Sequence, residues 1–397
     1  MNLNKRLLAA TVLISAIMSA MAQTQFDSVV DRILQQNLEL KADSADMRAA
    51  MFQRRGEAVL PDPEIDGGYE WGAAGVGDKW NIGITQSFDW PGVYRSKSKA
   101  IKHASKAFEA LAASRFLDKR VEIRELLIDY VYTKRQLAIV TEIRSRMDDM
   151  VRHYEKAYDS GEATILDVNT VKIARFDAER RCLDLQNRLV VVEASIAEQG
   201  SSSVLLDPEV TTLIDYPAGR LYSLEEYAVA MADRDPVLKH FDLLEQTSRY
   251  DLEAQRRSRY PGFSIGYRHI NELGDHFNGL SVGITLPVFS GRYKSDTALA
   301  QLESTLIQGN AARVGREAAM QADFKQASKL AGEIERFRDV AMDPRPVELL
   351  KKALDGGEIT VFTYLEEVNY FDEARIAYDG MLYEYHKLLT RLNRYIE

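Results

Sequence analysis

Apolar and polar residues alternate along the chain with two different periods, and each period predicts one kind of element. Long segments in which apolar residues recur every three or four positions predict helices, as at Ile101, Ala104, Phe108 and Leu111. Prolines in the stretch 61–63 end the first of these helices, because proline lacks the amide donor. The predicted helices span residues 26–59, 93–160, 163–199, 223–258, 292–355 and 359–395.

Two pairs of short segments, 62–89 and 262–288, alternate apolar and polar residues with a period of two. This period places one set of side chains on each face of a strand, so we expect two strand pairs. The pattern fits a tilted strand that crosses an outer membrane, and it fits a soluble hairpin with one face on a core equally well. In the first case these residues face lipid: Tyr69, Trp71, Trp80, Ile82, Ile84, Phe263, Ile265, Tyr267, Val282 and Ile284.

The chain contains an internal duplication with an offset close to two hundred residues. The strand sequence NIGIT at 81–85 recurs as SVGIT at 281–285, and the turn sequence DSGEAT at 159–164 recurs as DGGEIT at 355–360. A repeat of this length is half a protein, whereas solenoid units are much shorter. We therefore expect one repeat at 23–200 and a second at 223–397, each built from a helix, a strand pair, a long helix, a turn near residue 161 or 357, and a return helix.

Two further segments complete the predicted organisation. Residues 1–22 combine Lys5 and Arg6 with an apolar run and a small-residue site ending at Ala22, which predicts a cleaved secretion signal. Residues 201–222 are rich in serine, proline and glycine, and they predict a connector between the repeats. Ser223 and Glu226 have the spacing of a capping box at the start of the next helix.

Composition and charge exclude several functions. The net charge of −9 disfavours nucleic-acid binding, and the single cysteine, Cys182, excludes an intrachain disulfide. We find no catalytic constellation and expect no enzyme activity, no cofactor and no metal site.

The glycine-rich stretch 72–77 lacks the order of a phosphate loop and predicts a hairpin turn. His269 and His276 flank the second hairpin and could contact a metal ion, although a plain surface loop accounts for them as well.

The order and the motifs of the chain resemble those of the TolC family of outer-membrane efflux proteins. The resemblance rests on GITQSFDWPG at 83–92, YPG at 260–262, GITLPVFSG at 283–291 and the two Gly-Glu turns at residues 161 and 357. It covers nearly the whole chain after residue 22, and its strength lies in the order, duplication and spacing of motifs that are individually weak.

The resemblance implies a mainly helical fold with a small β part. Three chains would join their four strands each in a twelve-stranded outer-membrane β-barrel, and their coiled-coil helices would form an α-barrel across the periplasm. The implied function is a duct of a tripartite efflux system. Its partners would be a periplasmic adaptor protein, an inner-membrane transporter, outer-membrane lipid and two further copies of the chain.

The resemblance also implies that the two Gly-Glu turns lie at the periplasmic tip, where the family docks adaptors and narrows the duct. Asp167 and Glu366 would then form carboxylate rings that favour cations, or they would merely cap helices, since Thr164 with Asp167 and Thr363 with Glu366 have N-cap spacing. The residues implied at this tip are Gly161, Glu162, Thr164, Asp167, Gly357, Glu358, Thr363 and Glu366. Family members often brace the aperture with an arginine, and the segment 347–374 contains none.

Two other classes of protein stay open at this point. A periplasmic coiled-coil adaptor or scaffold would need one helical hairpin embedded in several compact β-domains, and two hairpins with four strands argue against it. An exported enzyme on a helical scaffold would need a group of catalytic residues that the sequence does not contain.

Overall fold

The computed structural model describes residues 25–73, 75, 77–202, 208–287 and 291–396, with the side chains of residues 291 and 292 excepted. The predicted secretion signal at 1–22 lies outside the described residues. The helices are α1 (residues 25–36), α2 (Leu38–Gly56), α3 (Pro91–Ser160), α4 (Ile165–Gln199), α5 (Pro208–Thr211), α6 (Leu224–Arg234), α7 (Pro236–Arg257), α8 (Gly291–Ala341), α9 (Arg345–Asp355) and α10 (Val361–Leu392). The strands are β1 (Glu64–Glu70), β2 (Lys79–Phe88), β3 (Gly262–Glu272) and β4 (Asp275–Thr285).

The predicted fold class is confirmed, and the element order of the first half recurs in the second. Each half has a helical segment, a strand pair, a long helix and a return helix, with a glycine of positive φ before the return helix. None of the helices in the described part of the chain is both long enough and apolar enough to cross a membrane.

The predicted first helix, 26–59, is wrong in one respect, because it is interrupted at Asn37. The Asn37 side chain is almost completely buried and accepts a hydrogen bond from Leu40 N at 2.9 Å, which makes it the cap of α2. Its amide also donates to the Gln199 carbonyl oxygen at 2.9 Å. The interruption therefore satisfies backbone groups of α2 and of the end of α4 together.

The predicted helix 223–258 is interrupted at the corresponding place in the second half. Asp235 accepts a hydrogen bond from Val237 N at 2.8 Å, and Pro236 occupies the first turn of α7. Proline fits there because its missing amide hydrogen has no partner at a helix start. The predicted start of α6 is confirmed, since Glu226 N donates to Ser223 Oγ at 3.2 Å and Ser223 N donates to Glu226 Oε2 at 2.8 Å.

The second long helix, predicted to span 292–355, ends at Ala341 instead. Pro344 removes a backbone donor, and a new helix, α9, begins at Arg345. The Asp343 carboxylate accepts a hydrogen bond from Arg345 N at 3.0 Å, which holds this break in place. The first long helix has no internal proline or glycine after residue 92, and it continues for 70 residues.

The four strands form one antiparallel sheet in the order β1-β2-β3-β4. The register pairs Ile84 of β2 with Ile65 of β1 and with Tyr267 of β3, and it pairs Tyr267 with Leu280 of β4. The two inner strands are hydrogen-bonded on both sides. Among the described residues, no strand pairs with the outer edge of β1 or of β4.

The chain divides into two compact units, and each contains residues of both predicted repeats. The first unit comprises the described residues up to Lys41, Phe116–Asp233, and those from Glu317 onward. Its largest core cluster includes Phe26, Leu127 and Val131. The repeat boundaries at residues 200 and 223 stay a prediction, since packing groups the chain differently.

The second unit comprises Ala42–Arg115 and Arg234–Arg316, which include the sheet. Its helices pack closely around small side chains. The buried residues of α3 there are mostly small: alanines at positions 100, 104, 107 and 110 and serines at 96 and 114, besides Val93, whereas Phe108 and Leu111 are only half-buried. The helix therefore buries a face centred on its alanines, and not on the larger residues Ile101, Phe108 and Leu111 that the apolar spacing indicated.

Candidate functional site

One face of the sheet is mostly apolar across all four strands, with polar side chains toward the β3–β4 turn. Residues that are directly paired in an antiparallel sheet point to the same side, so Ile65, Ile84, Tyr267 and Leu280 form one row across the sheet. A second row contains Phe263 and Ile284. The period-two pattern in the sequence thus becomes a continuous apolar surface.

This surface is exposed in the single chain. Val282 is 79% exposed and Leu280 is 81% exposed. The other predicted apolar-face residues within the strands are also exposed: Tyr69, Trp80, Ile82, Ile84, Phe263, Ile265, Tyr267 and Ile284. A contiguous apolar surface of this kind indicates a lipid or protein contact that the isolated chain does not make.

Trp71 is the exception among these residues, because it lies one residue beyond the end of β1. The ladder between β1 and β2 ends at the pair of Glu70 and Lys79, and Gly72 N donates to Asp78 Oδ1 in the connection that follows. The Trp71 ring contacts Tyr69 edge to face at 5.6 Å. Its assignment to a strand was wrong. The predicted hairpin turn at residues 72–77 falls between β1 and β2, and its residues 74 and 76 lie outside the described residues.

The opposite face of the sheet is polar and rich in glycine. Arg268 and Asp66 form an ion pair at 3.0 Å, and both are register partners of Gly83 on the strand between them. A β-carbon on Gly83 would approach the Asp66 carboxylate to 2.7 Å, so glycine leaves the space that the ion pair occupies. The sheet therefore has one mostly apolar face and one polar face.

The turn between α3 and α4 is built as the sequence predicts. Gly161 has φ of +81°, and Glu162 N donates to the Ala157 carbonyl at 2.7 Å. Thr164 caps α4 in a capping box with Asp167, whose carboxylate accepts from Thr164 N at 2.9 Å. Hydrogen bonds from the side chain and backbone of Thr164 lower the pKa of Asp167.

The turn between α9 and α10 repeats this geometry, but its predicted cap is wrong. Gly357 has φ of +71°, and Glu358 N donates to the Ala353 carbonyl at 2.9 Å. Thr360, and not Thr363, is the cap: its hydroxyl accepts from Thr363 N at 3.1 Å. Thr363 therefore occupies the place that Asp167 has in the first turn, and Glu366 is an exposed residue one turn further along α10.

The two helical hairpins contact each other near these turns. Val151 of α3, Val171 of α4 and Val361 of α10 are buried in one cluster. Arg146 of α3 forms an ion pair with Asp372 of α10. Burial raises the pKa of Asp372, and Arg146 partly offsets that effect.

Sequence reasoning missed this ion pair. It considered only the segment 347–374 for an arginine that braces the aperture, and Arg146 lies on the other hairpin. A second pair, Arg181 with Glu373 at 2.6 Å, also joins the hairpins. The offset between Arg146 and Asp372 gives no short-range signal, so only the helix packing reveals the contact.

A partly buried polar group joins the connector to α3 and α10. Arg135 Nε donates to Asp379 Oδ1 at 2.6 Å, and the Arg135 guanidinium also lies over the Tyr216 ring. Tyr216 in turn stacks on His386 with ring centroids 4.9 Å apart. Burial, with a contribution from the nearby Arg135 charge, lowers the pKa of His386 to about 4. The imidazole is therefore neutral at physiological pH.

Metal-ligating residues do not converge in the part of the chain that the structure describes: no group of three or more His, Cys, Asp or Glu side chains could hold an ion there. His269 and His276 lie on the same face of the second hairpin, and their rings stack with centroids 5.5 Å apart.

Known structures share this architecture. No family model and no curated protein matches the sequence. The outer-membrane channel OprN superposes with a TM-score of 0.80 at 14% identity, over 94% of this chain and 90% of that one. The chain has the fold of outer-membrane channels. The Campylobacter jejuni CmeC outer-membrane channel gives a TM-score of 0.78 at 14% identity, over 94% of this chain and 85% of that one.

A third channel structure agrees with the first two. The open state of the Neisseria gonorrhoeae MtrE outer-membrane channel gives a TM-score of 0.75 at 12% identity, covering 94% of this chain and 88% of that chain. The TolC-like fold expected from the sequence motifs is confirmed. Because these channels superpose over nearly the whole chain, the likeness includes the sheet and the helical hairpins together.

Proposed function

We propose that this protein is the outer-membrane channel of a tripartite efflux or export system. The observation that supports it most directly is the exposed apolar face of the sheet, on a chain with the fold of outer-membrane channels. Removing apolar area from water is favourable by about 25 cal/mol per Å². The proposed residues at the lipid are the exposed strand residues given above, with the aromatic side chains Tyr69, Trp71 and Trp80 near the β1–β2 turn.

The proposal includes a homotrimer. Strands β1 and β4 have open edges, and an open edge is satisfied when it pairs with another strand. A membrane permits only closed barrels, and four strands are too few to close one. Three chains joined from β4 to β1 would give twelve strands with no free edge. The polar face with Asp66, Gly83 and Arg268 would then line the hydrated interior.

The predicted signal at residues 1–22 would direct export of the chain and then be cleaved. The helical hairpins would form the periplasmic part of the duct. The two turns at Gly161 and Gly357 are the proposed tip, where a periplasmic adaptor and an inner-membrane transporter dock. Glu162, Thr164, Glu358 and Thr363 flank these glycines. We propose that Asp167 and Glu366 add negative charge to the aperture, which would favour cations.

The adaptor alternative has less support. An adaptor would have one long hairpin between compact β-domains, whereas the described residues contain two hairpins and one four-stranded sheet. The two alternatives also differ in the surface they predict, because a water-soluble adaptor would not expose a continuous apolar sheet face.

Membrane fractionation followed by planar-bilayer recording tests the proposal. We expect the full-length protein in the outer-membrane fraction as a heat-modifiable trimer that conducts ions. A soluble monomer would contradict the channel function.

The same recordings test the charge at the aperture. Asp167→Asn with Glu366→Gln should reduce the preference for cations, whereas Glu179→Gln, an exposed acidic position away from the turn, should leave it unchanged. Equal selectivity of all three proteins would contradict the aperture assignment and leave the channel function intact.

A further inference from the structure

The β3–β4 hairpin contains a crossed arrangement of two histidines and two asparagines. The register pairs His269 with Asn278 and Asn271 with His276. All four side chains lie on the same face as Tyr267 and Leu280, at the end of that face near the β3–β4 turn, because directly paired positions share a face and positions two apart along a strand do so as well. The two imidazole rings stack with an interplanar angle of 21°.

The hydrogen bonds of Asn278 determine the tautomer of His269. The Tyr267 hydroxyl donates to Asn278 Oδ1 at 2.7 Å, and His269 Nδ1 lies 2.8 Å from the same oxygen. An amide oxygen can only accept, so His269 Nδ1 is the donor. The neutral ring then has its free electron pair on Nε2. A carbonyl oxygen that holds one ring nitrogen in this way is the usual support of a metal-binding histidine.

The second histidine also contacts an asparagine of the opposite strand, but through the amide nitrogen. His276 Nδ1 lies 3.3 Å from the Asn271 side-chain nitrogen. Rotation of the Asn271 amide by half a turn presents its oxygen instead, which moves the ring proton to Nδ1 and frees Nε2. This change needs no backbone movement and no net gain or loss of protons.

We propose that His269 and His276 form a two-imidazole site for a divalent transition-metal ion, with Asn278 and Asn271 as positioning residues. Imidazole nitrogens bind Cu²⁺, Ni²⁺ and Zn²⁺, and Cu²⁺ binds most tightly in the general order of stability. The ring centroids at 5.5 Å allow two Nε2 atoms to reach one ion by rotation about the side-chain bonds. Water completes the coordination, so the ion is exchangeable.

The hairpin provides a rigid frame for this site. Leu273 and Gly274 form its two-residue turn with φ of +57° and +94°, which matches the twist of the strands and fixes their register. Trp80 of β2 packs on His269 with ring centroids 5.3 Å apart. The site lies within one chain and one hairpin, so it does not depend on the proposed channel function or on a trimer.

Electron paramagnetic resonance of Cu²⁺ bound to the untagged full-length protein in detergent tests the site. We expect one tight Cu²⁺ per chain with splitting from two imidazole nitrogens. His269→Asn or His276→Asn should leave one nitrogen and weaken binding at least about tenfold. Asn278→Ala should weaken binding about 10- to 100-fold although it removes no ligand, and Asn278→Asp, which keeps an acceptor oxygen, should restore it.

His153→Asn provides the matched control, because His153 is an exposed histidine on α3. It should bind Cu²⁺ as the unsubstituted protein does. An unchanged affinity and two-nitrogen signal in the doubly substituted His269→Asn, His276→Asn protein would overturn the site. Loss of the same signal in His153→Asn would overturn it as well, since surface histidines would then bind the ion adventitiously. Unchanged circular dichroism spectra of all variants ensure that a loss reports binding.

Discussion

At the scale of single residues, burial decides chemistry that the sequence does not display. His386 follows Tyr385 in an ordinary helical pattern, and nothing nearby in sequence predicts a perturbed imidazole. The connector places the Tyr216 ring on it, and Arg135 adds a positive charge close by. Both the loss of water and the like charge disfavour the imidazolium, so the folded protein holds His386 in the neutral form.

This residue predicts a loss of stability in acid. The pKa of His386 is about 4 in the folded chain and 6.5 in a model peptide, so the unfolded chain binds the proton more readily. The stabilisation is complete above the unfolded value and is lost as the pH falls from there toward about 4. By about pH 5 the stability lost in this way amounts to ~2 kcal/mol. His386→Phe should therefore reduce the fall in Tm between about pH 7.5 and about pH 5.

Thermal unfolding followed by circular dichroism measures this difference. The control His153→Phe replaces an exposed histidine and should keep the pH dependence of the unsubstituted protein. If His386→Phe shows the same fall in Tm as His153→Phe, then His386 is not the group responsible.

At the scale of elements, helix ends follow local capping rules, and the sequence predicts the capping residue correctly at only some of them. Thr164 with Asp167 could be recognised as a capping box, and it is one. In the second turn the same rule suggested Thr363, but the chain uses Thr360. Both threonines have acceptable chemistry, and the choice is set by Gly357, whose positive φ ends the turn three residues before Thr360. Alignment with the first turn could have revealed this.

Two glycines, one in a turn and one inside a helix, predict stability changes of opposite sign when replaced by alanine. Gly161 has φ of +81° with no neighbouring atom within 4 Å of an added β-carbon, so Gly161→Ala should destabilise the protein through backbone strain alone, by about 1 to 2 kcal/mol. Gly332 also has open space but lies inside α8 without a positive φ, and Gly332→Ala should stabilise the protein by about 1 kcal/mol. Comparison of the two melting temperatures tests this, and a shift of both in the same direction would contradict it.

Two interruptions were missed at this scale for the same reason. Asn37 and Asp235 lie inside segments whose apolar spacing continues through them, so periodicity predicts unbroken helices. Proline after Asp235 was a usable signal, because proline favours the first turn of a helix. Asn37 has no such neighbour, and its burial against Gln199 is apparent only from the packing of α1 with α4.

At the scale of the whole molecule, the isolated chain leaves a large apolar surface unpaired. The sheet has two open edges and an exposed apolar face, which are unfavourable in water and favourable in a closed barrel within lipid. The isolated chain therefore lacks partners for its open strand edges and its apolar sheet face. This is the physical reason for proposing an assembly.

An arginine substituted on each face of the sheet in turn tests which face meets lipid and which meets water. Val282→Arg, on the apolar face, should cost about 2 to 4 kcal/mol near the middle of a bilayer and less near its surface, and should lower the yield of assembled trimer. Ser281→Arg, one residue away on the polar face, should be tolerated. The measurement is the amount of heat-modifiable trimer in outer-membrane fractions. Equal yields of the two variants would indicate that the apolar face meets water.

The sequence by itself determined the kinds of elements, their order and the duplication. These features depend on neighbours along the chain: period-two alternation places Ile82 and Ile84 on one side of a strand, and glycine permits the turn at residue 161. The resemblance to outer-membrane channels followed from the same local motifs, since their order survives in the sequence.

Only the tertiary structure decided the contacts between distant segments. Arg146 meets Asp372, and Tyr216 covers His386, because helices that are far apart along the chain pack side by side. The crossed pairs of His269 with Asn278 and Asn271 with His276 depend on strand register, which a shift of one residue would abolish. Spacing along the chain contains no information on which distant residue fills the place beside a given side chain, so these contacts required the fold.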